Sequence, residues 1–480
     1  MRLAVTAKHR TYAQALSELF SLLQPSNHKL PRPSLQEQEQ DKEDDNFEQY
    51  DASREGDYEA FNRVRAQQRG IIERLKQHDF ITAKRFADQL IAEQRRLSNK
   101  EHIAKSLCFL AQQAKQYEAT ELQLDWAAQA NETDPSDPMT SGHLADAYIG
   151  AGNFVAAYAA IEQTERRGDA LYAATSRARI RRMEGRFAEA YELYLAAACE
   201  HDANENVVHA WTGVAETLRD MGKFDDALVQ YRALVERWPD DAGLRSGLAS
   251  VLMEAGRYND AIKEFNIALQ YRGGIVAENG LATSYKLAGN FDRALEIYDS
   301  VLQYAPFSTA TLCGRAEVFR ANDDLTAALD AYKLAVERVS HNPRPFAGLG
   351  HVMEDLGWFE DARKVYSEGE RRFPGDEFIA VGSARLLRRE HKFQEALKAF
   401  DELAGRFPFN RWVKWARGDV LRSMGHPEAA LQAMSSILEA WPDYSPAQTS
   451  KASLLIETGR YDEAIVLLDA RDAAANPSYS

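Results

Sequence analysis

The sequence is poor in the residues that cross-link or interrupt a fold, with 3 cysteines and 15 prolines among 480 residues. Cys108, Cys199 and Cys313 have no paired spacing, so we expect buried free thiols in a reducing compartment. No stretch approaches the roughly 20 apolar residues that a membrane-spanning helix needs. The apolar run at the start is too short for a secretory signal. We therefore expect a cytoplasmic protein without a membrane segment.

Motifs that carry chemistry are also missing. The chain has no His-Glu-x-x-His, no Cys-x-x-Cys and no Gly-x-Ser-x-Gly elbow. The Gly222-Lys223 pair is followed by Phe224, where a phosphate-binding loop requires Ser or Thr. The Gly348–Gly350 segment has no preceding strand, which argues against a dinucleotide fingerprint. The sequence therefore predicts no catalytic residue, no metal site, no cofactor and no enzyme activity.

What the chain does contain is a recurring Gly-x-Phe/Tyr-x-x-Ala pattern. From residue 222 onward, successive copies lie 33 or 34 residues apart. A period of this length indicates an array of stacked units in place of one compact core. The turn positions are 152, 185, 222, 256, 289, 323, 357, 391, 425 and 459.

Each period contains two amphipathic helices. In the copy that starts at residue 208, apolar residues recur at helical spacing over Trp211–Leu218 and Phe224–Leu234, and Gly222 separates the two stripes. Small residues at the eighth and twentieth positions allow the helices to approach closely. Prolines that end the second helix are Pro239, Pro306, Pro374, Pro408 and Pro442. The small residues from residue 138 onward are Ala145/Ala157, Ala178/Ala190, Ala215/Ala227, Ala249/Ala261, Ala282/Ala294, Ala316/Ala328, Gly350/Ala362, Ser383/Ala396, Gly418/Ala430 and Ala452/Ala464.

These positions resemble the motif of the tetratricopeptide repeat family. The resemblance implies an all-α fold, a right-handed α-solenoid of about twelve helix-turn-helix units. We assign ten units to residues 138–470 and a tail to 471–480. Residues 58–137 hold two divergent units with turns near His78 and Lys115, and the second has Cys108 and Thr120 at its small positions. Spacings of 37 residues there and between 185 and 222 predict longer helices or loops.

The first 57 residues have a different composition. Residues 1–24 are predicted to form an amphipathic helix. Residues 25–57 are predicted to form an acidic flexible linker, because Leu35–Asp57 has ten acidic residues and two basic ones. Two interpretations of the helix are open: it packs beside the first repeat, or it is a tethered hook that binds a partner or this chain's own groove. The apolar face comprises Tyr12, Leu16, Leu19, Phe20 and Leu23.

The resemblance also implies a concave groove lined by the first helices, with positions two, five, nine and twelve of each copy facing a ligand. Three copies have an acid at position nine and an arginine at position twelve. The pairs are either internal ion pairs, or arginines held ready for the backbone or a carboxylate of a bound peptide. They are Glu216/Arg219, Glu317/Arg320 and Asp419/Arg422.

Two further regions depart from the regular pattern. Arg179 and Arg182 lie in an arginine-rich first helix, either a solvated face or an anion-binding patch for an acidic peptide such as residues 35–57. The net charge of −15 argues against nucleic acid as the ligand. Trp412 and Trp415 near Arg422 have the composition of a binding hot spot, and packing between neighbouring repeats is the alternative. The other arginines of the first region are Arg177, Arg181 and Arg186.

The apolar run Ile465–Leu468 lies in the last predicted helix, where a solenoid needs a polar cap. We therefore expect this end to dock onto a partner, a second copy of the chain or a separate domain.

Together these features predict a non-catalytic scaffold or adaptor that binds a protein or peptide segment in its concave groove. The alternative is a regulatory or sensor subunit whose groove is gated by its own N-terminal segment.

Overall fold

The structure, a computed structural model, describes residues 55–97, 99–408, 410–441 and 444–475. Within these residues the chain forms 24 α-helices and one short 3-10 helix, and no strand. Consecutive helices pair through short turns into twelve units, which we call hairpins 1 to 12. In chain order their first and second helices are Glu55–Lys76 and Phe80–Leu97, Lys100–Gln116 and Thr120–Thr133, Pro138–Gly150 and Phe154–Arg166, Ala170–Met183 and Phe187–Glu200, Val208–Asp220 and Phe224–Arg237, Ala242–Glu254 and Tyr258–Gln270, Gly274–Leu287 and Phe291–Tyr304, Thr309–Ala321 and Leu325–Arg338, Pro343–Asp355 and Phe359–Arg372, Glu377–Arg389 and Phe393–Arg406, Arg411–Ser423 and Pro427–Ala440, and Ser445–Glu457 and Tyr461–Ala475.

The hairpins stack in sequence order. Each second helix packs against its own first helix and against the first helix of the next hairpin, and first helices of neighbouring hairpins also touch. The predicted all-α solenoid is therefore confirmed. Among the described helices, none combines the length and the apolar content that a membrane crossing would require.

The recurring glycine closes the turn between the two helices. Gly222 has φ +79°, and its N–H donates to the Arg219 carbonyl at 2.8 Å. A residue with a Cβ adopts this left-handed conformation only at a steric cost. The turn positions predicted from residue 152 onward all have positive φ, with Asp323 and His391 in place of glycine in hairpins 8 and 10.

Hairpin 2 differs from its prediction. Its first helix continues to Gln116, and Glu118 is the residue with positive φ, so the turn predicted near Lys115 is wrong by three residues. Ala111 is buried at the small position that the sequence assigned to Cys108. This first helix has 17 residues, so the extra spacing here is helical.

Two other small positions were also misassigned. Gln123 is buried at the position predicted for Thr120. In hairpin 10 the buried small residue is Ala384, whereas the adjacent Ser383 donates its hydroxyl to Glu370 Oε1 at 2.8 Å. A one-residue shift changes which helix face a residue occupies, so Ser383 lies beside the packing surface.

The other segment boundaries have simple explanations. The wider spacing between 185 and 222 is a longer loop, which contains the 3-10 helix Glu205–Val207. The first described helix begins at Glu55, inside the segment predicted as a linker, and the last extends to Ala475. The predicted helix of residues 1–24, the linker up to residue 54 and Pro442 lie outside the described residues. The other four prolines each follow the end of a second helix.

The cysteines form no disulfide. Cys108 is buried and Cys313 is half-buried, whereas Cys199 is exposed, which contradicts the expectation that all three are buried.

Aromatic rings of the second helices insert against glycines of the following first helices. An added Cβ at Gly348 would lie 2.1 Å from Tyr332 Cε1, so only glycine allows this approach. The sequence analysis assigned no role to this sixth position. Equivalent contacts join Tyr194 to Gly213, Tyr231 to Gly247, Phe265 to Gly280, Tyr298 to Gly314, Tyr332 to Gly348 and Tyr366 to Gly382.

We predict that Gly348→Ala destabilises the protein by about 2 kcal/mol, because the ring or the helix must move to admit the methyl group. Gly405→Ala is the matched control, since its Cβ would meet nothing within 4 Å. This control should leave stability unchanged or raise it by up to about 1 kcal/mol. Urea unfolding followed by circular dichroism measures both, and equal midpoints for the two variants would contradict the ring-to-glycine packing.

Candidate functional site

The first helices of hairpins 8 to 11 line a cavity of about 580 Å³. In hairpin 9 its wall is formed by Arg344, Ala347 and His351, which are the second, fifth and ninth residues of the copy. These are three of the four positions that the resemblance assigned to the groove, and no position-twelve residue lines this cavity. Other lining residues include Cys313, Glu317, Phe378, Val381, Arg385 and Trp412.

Aromatic surface and an arginine meet in this cavity. The Phe378 side chain is 51% exposed, and the Arg344 guanidinium carbon lies 5.3 Å from its ring centroid. Trp412 is half-buried and packs edge-on against Phe400 at 6.0 Å. The sequence analysis missed Phe378, although its second position in the copy is a signal that could have found it.

The two predicted tryptophans occupy different environments. Trp412 lines the cavity, whereas the Trp415 Nε1–H donates to Ser450 Oγ in hairpin 12 at 2.9 Å. Trp415 also lies against the apolar clusters on both sides of hairpin 11. Trp412 thus lines the cavity, and Trp415 lies at the contact between hairpins 11 and 12.

A buried ion pair forms one wall of the cavity. Glu354 is 1% exposed, accepts the Tyr366 hydroxyl at 2.6 Å, and accepts two N–H groups of Arg385 at 3.0 and 3.1 Å. Burial, followed by the Glu354 charge, raises the pKa of Tyr366, so the phenol stays protonated and remains a donor. Because the Arg385 guanidinium is already paired with the Glu354 carboxylate, it lines the cavity as a fixed side chain and is not available to pair with a ligand.

The acid–arginine pairs predicted at positions nine and twelve form an intrahelical bridge in one of three cases. Arg320 Nη2 lies 2.8 Å from Glu317 Oε2, and Arg320 Nη1 lies 3.4 Å from Asp355 in the next hairpin. Burial acts to raise the pKa of Glu317, but its hydrogen bonds from Arg320 and Tyr332 and the nearby cations hold that pKa below its usual range. Glu317 therefore remains ionised at the edge of the cavity.

The other two predicted pairs instead connect neighbouring hairpins. Arg219 reaches Glu254 in hairpin 6 at 3.6 Å, while Glu216 accepts from Arg182 in hairpin 4. Ion pairs of this kind link the first helices of neighbouring hairpins. The cross-hairpin pairs include Asp146–Arg179, Arg182–Glu216, Arg219–Glu254, Arg320–Asp355, Glu354–Arg385, Arg388–Asp419 and Arg422–Glu457.

The arginine-rich first helix of hairpin 4 is balanced by nearby carboxylates. Arg179 is hydrogen-bonded to Asp146, and Arg182 also lies 3.6 Å from Asp220. A guanidinium that already holds a carboxylate attracts an external anion weakly. The three remaining arginines pair with glutamates, namely Arg177 with Glu165, Arg181 with Glu184 and Arg186 with Glu189.

The last hairpin presents apolar side chains to solvent. Ile465 is 55% exposed and Val466 is 69% exposed, whereas Leu467 packs partly against the apolar cluster of hairpins 11 and 12. Within the predicted apolar run, Ile465 and Val466 are therefore exposed, whereas Leu467 is in contact with the apolar cluster.

Family comparison agrees with this architecture. A model described as "Tetratricopeptide repeat" matches residues 215–274, 279–343 and 381–443, and a second model of the same description matches residues 421–479. The chain belongs to the tetratricopeptide repeat family. Its fold is that of a protein-interaction scaffold.

Curated relatives match only segments of the chain. The human protein O-mannosyl-transferase TMTC1 is 25% identical over 176 residues, which are 36% of this chain and 20% of that protein. The CTR9 homolog of Arabidopsis thaliana is 30% identical over 119 residues, 24% of this chain and 11% of that protein. The photosystem I assembly protein Ycf3 of Prochlorococcus marinus strain NATL1A is 28% identical over 130 residues, 24% of this chain and 70% of that protein. The chain thus spans a fifth or less of the first two proteins.

Solved structures with related arrays include yeast Tom70 and the APC/C hetero-tetramer Cut9-Hcn1. The Tom70 structure aligns with a TM-score of 0.45 at 15% identity, and the alignment covers 78% of this chain and 92% of the Tom70 chain. The Cut9-Hcn1 structure aligns with a TM-score of 0.36 at 14% identity, and the alignment covers 81% of this chain and 96% of the matched chain.

We predict that Glu354→Gln destabilises hairpins 9 and 10 by up to about 3 kcal/mol, since the half-buried Arg385 loses its countercharge. Glu368→Gln, which removes the exposed pairs with Arg371 and Arg372, is the control and should change the stability much less, because exposed ion pairs are screened by solvent. Thermal unfolding at low and high salt provides the measurement. A cost for Glu354→Gln no larger than that of the control would refute a structural role for the buried pair.

Proposed function

We propose that the protein is a non-catalytic scaffold that binds a protein segment in the cavity of hairpins 8 to 11. The observation that carries the proposal is the convergence of Phe378, Trp412 and Arg344 in one concave site. A cavity of about 580 Å³ falls in the range of pockets that take a few ligand side chains. Aromatic residues beside an arginine are the usual composition of a binding hot spot.

The charges around the cavity define the partner's chemistry. Arg320 and Arg385 are engaged by carboxylates of the chain, whereas no ion pair of Arg344 occurs among the described residues. Arg344 is therefore the guanidinium that can donate to a ligand. The partner segment that fits this cavity carries an aromatic or aliphatic side chain close to a carboxylate. The apolar side chain packs against the Phe378 and Trp412 rings, and the carboxylate accepts from Arg344.

The last described hairpin supports a second contact. Ile465 and Val466 are exposed side by side on the last helix. We propose that a separate partner or a second copy of the chain covers them, which would leave the groove of hairpins 8 to 11 open to its ligand.

We predict that Trp412→Ala and Phe378→Ala each weaken peptide binding at least about tenfold, the loss expected of a hot-spot residue. The probes are peptides selected from a displayed random library on the immobilised full-length protein, and their affinities are measured by fluorescence polarisation. Trp358→Ala is the matched control, because Trp358 is 47% exposed in the turn of hairpin 9 and does not line the cavity.

Arg344→Gln tests the charge requirement separately. It should weaken acidic peptides and reduce the salt dependence of their binding, while neutral peptides lose little affinity. Equal binding by wild type, Trp412→Ala and Phe378→Ala would place the binding surface elsewhere on the chain.

A further inference from the structure

Hairpins that are far apart in the sequence touch each other. The Glu118 carboxylate, in the turn of hairpin 2, accepts the Thr309 hydroxyl at 2.8 Å and the Asn342 side-chain amide at 2.7 Å. Thr309 begins hairpin 8, and Asn342 caps the first helix of hairpin 9. The superhelix therefore completes a turn, and its later hairpins rest on its first two.

Ring contacts extend the same interface. The His78 ring, in the turn of hairpin 1, lies 5.2 Å from the Phe307 centroid and 4.7 Å from the His341 centroid. Phe80 packs edge-on against His341 at 5.5 Å. Two phenylalanine rings and a pair of histidine rings thus lie beside the Glu118 hydrogen bonds.

Two of the residues that make these contacts have a strained backbone conformation. His78 has φ 54° and Glu118 has φ 58°, whereas eight other hairpins have glycine at this turn position. A left-handed residue with a side chain costs about 1 kcal/mol relative to glycine. Glycine has no side chain that could contact hairpins 8 and 9. The strain at His78 and Glu118 therefore accompanies the side chains that contact those hairpins.

We propose that His78 and Glu118 form a latch that holds successive turns of the superhelix together beside the groove. The latch adjoins the cavity described above, since Ala310 and Arg344 line the cavity next to Thr309 and Asn342. Opening the latch separates hairpins 1 and 2 from hairpins 8 and 9. The latch is independent of which ligand the groove binds, because its contacts are all within the chain.

Acid should open the latch. Burial is the main cause that lowers the pKa of His78 to about 4, and the facing His341 is the second cause. The Glu118 carboxylate acts to raise this pKa. The pKa of His341 is also lowered, chiefly by desolvation. The closed latch thus favours neutral imidazoles, so its stability is complete above the ordinary histidine pKa of about 6.5 and is lost as the pH falls towards 4. The titratable groups that act on His78 are His341 from the hairpin 8–9 loop and Glu118 from hairpin 2, and Phe307 adds no charge.

Small-angle X-ray scattering of the full chain tests the latch. The double variant His78→Gly, Glu118→Gly removes the contacts and relieves the turn strain, so at pH 7.5 it should have a larger radius of gyration and maximum dimension with unchanged helicity. Wild type at pH 5 should shift in the same direction. Asp323→Gly is the matched control, because it relieves the same strain at φ 62° in hairpin 8 without touching the interface. Scattering of the double variant identical to wild type would overturn the proposal, as would an equal expansion of the Asp323→Gly protein.

Discussion

The insertion of an aromatic ring against a glycine backbone, repeated from one hairpin to the next, is the contact on which the rest of the structure depends. In hairpins 8 to 10 the rings of Tyr332 and Tyr366 lie against Gly348 and Gly382, close enough that no Cβ could be accommodated. This contact sets the distance between each second helix and the first helix that follows it. With the distance set, the second, fifth and ninth positions of successive hairpins face the same side and form one surface.

The same spacing explains the polar floor of the groove. Tyr366 passes beside Gly382 and ends with its hydroxyl on the buried Glu354, which in turn holds Arg385. A buried carboxylate needs several donors, and this one has a phenol and a bidentate arginine. The Glu354–Arg385 ion pair therefore depends on ring packing, and it gives the cavity a fixed polar wall near exposed Phe378 and half-buried Trp412.

The fold could be predicted from the sequence because its determinants are local and periodic: a glycine at eight of the twelve turns, small residues at fixed positions and a proline after several of the second helices. Side-chain partners were harder to predict, since Arg182 and Glu216 lie 34 residues apart and nothing in their immediate neighbours indicates the pairing. The shift in hairpin 2 arose because Glu118 replaces the expected turn glycine. The contact of Glu118 with Thr309 spans 191 residues and depends on the pitch of the whole superhelix, which no local pattern encodes.

The central claim is that a protein segment binds in the cavity of hairpins 8 to 11. Site-specific photo-crosslinking tests it most directly, with a benzophenone amino acid in place of Phe378 and, as the control, in place of Val229, which is 43% exposed on the second helix of hairpin 5. Our account predicts that the probe at 378 crosslinks one defined segment of a partner protein and that excess selected peptide abolishes the crosslink. The same partner segment captured equally from position 229, or no competition by the peptide at position 378, would contradict it.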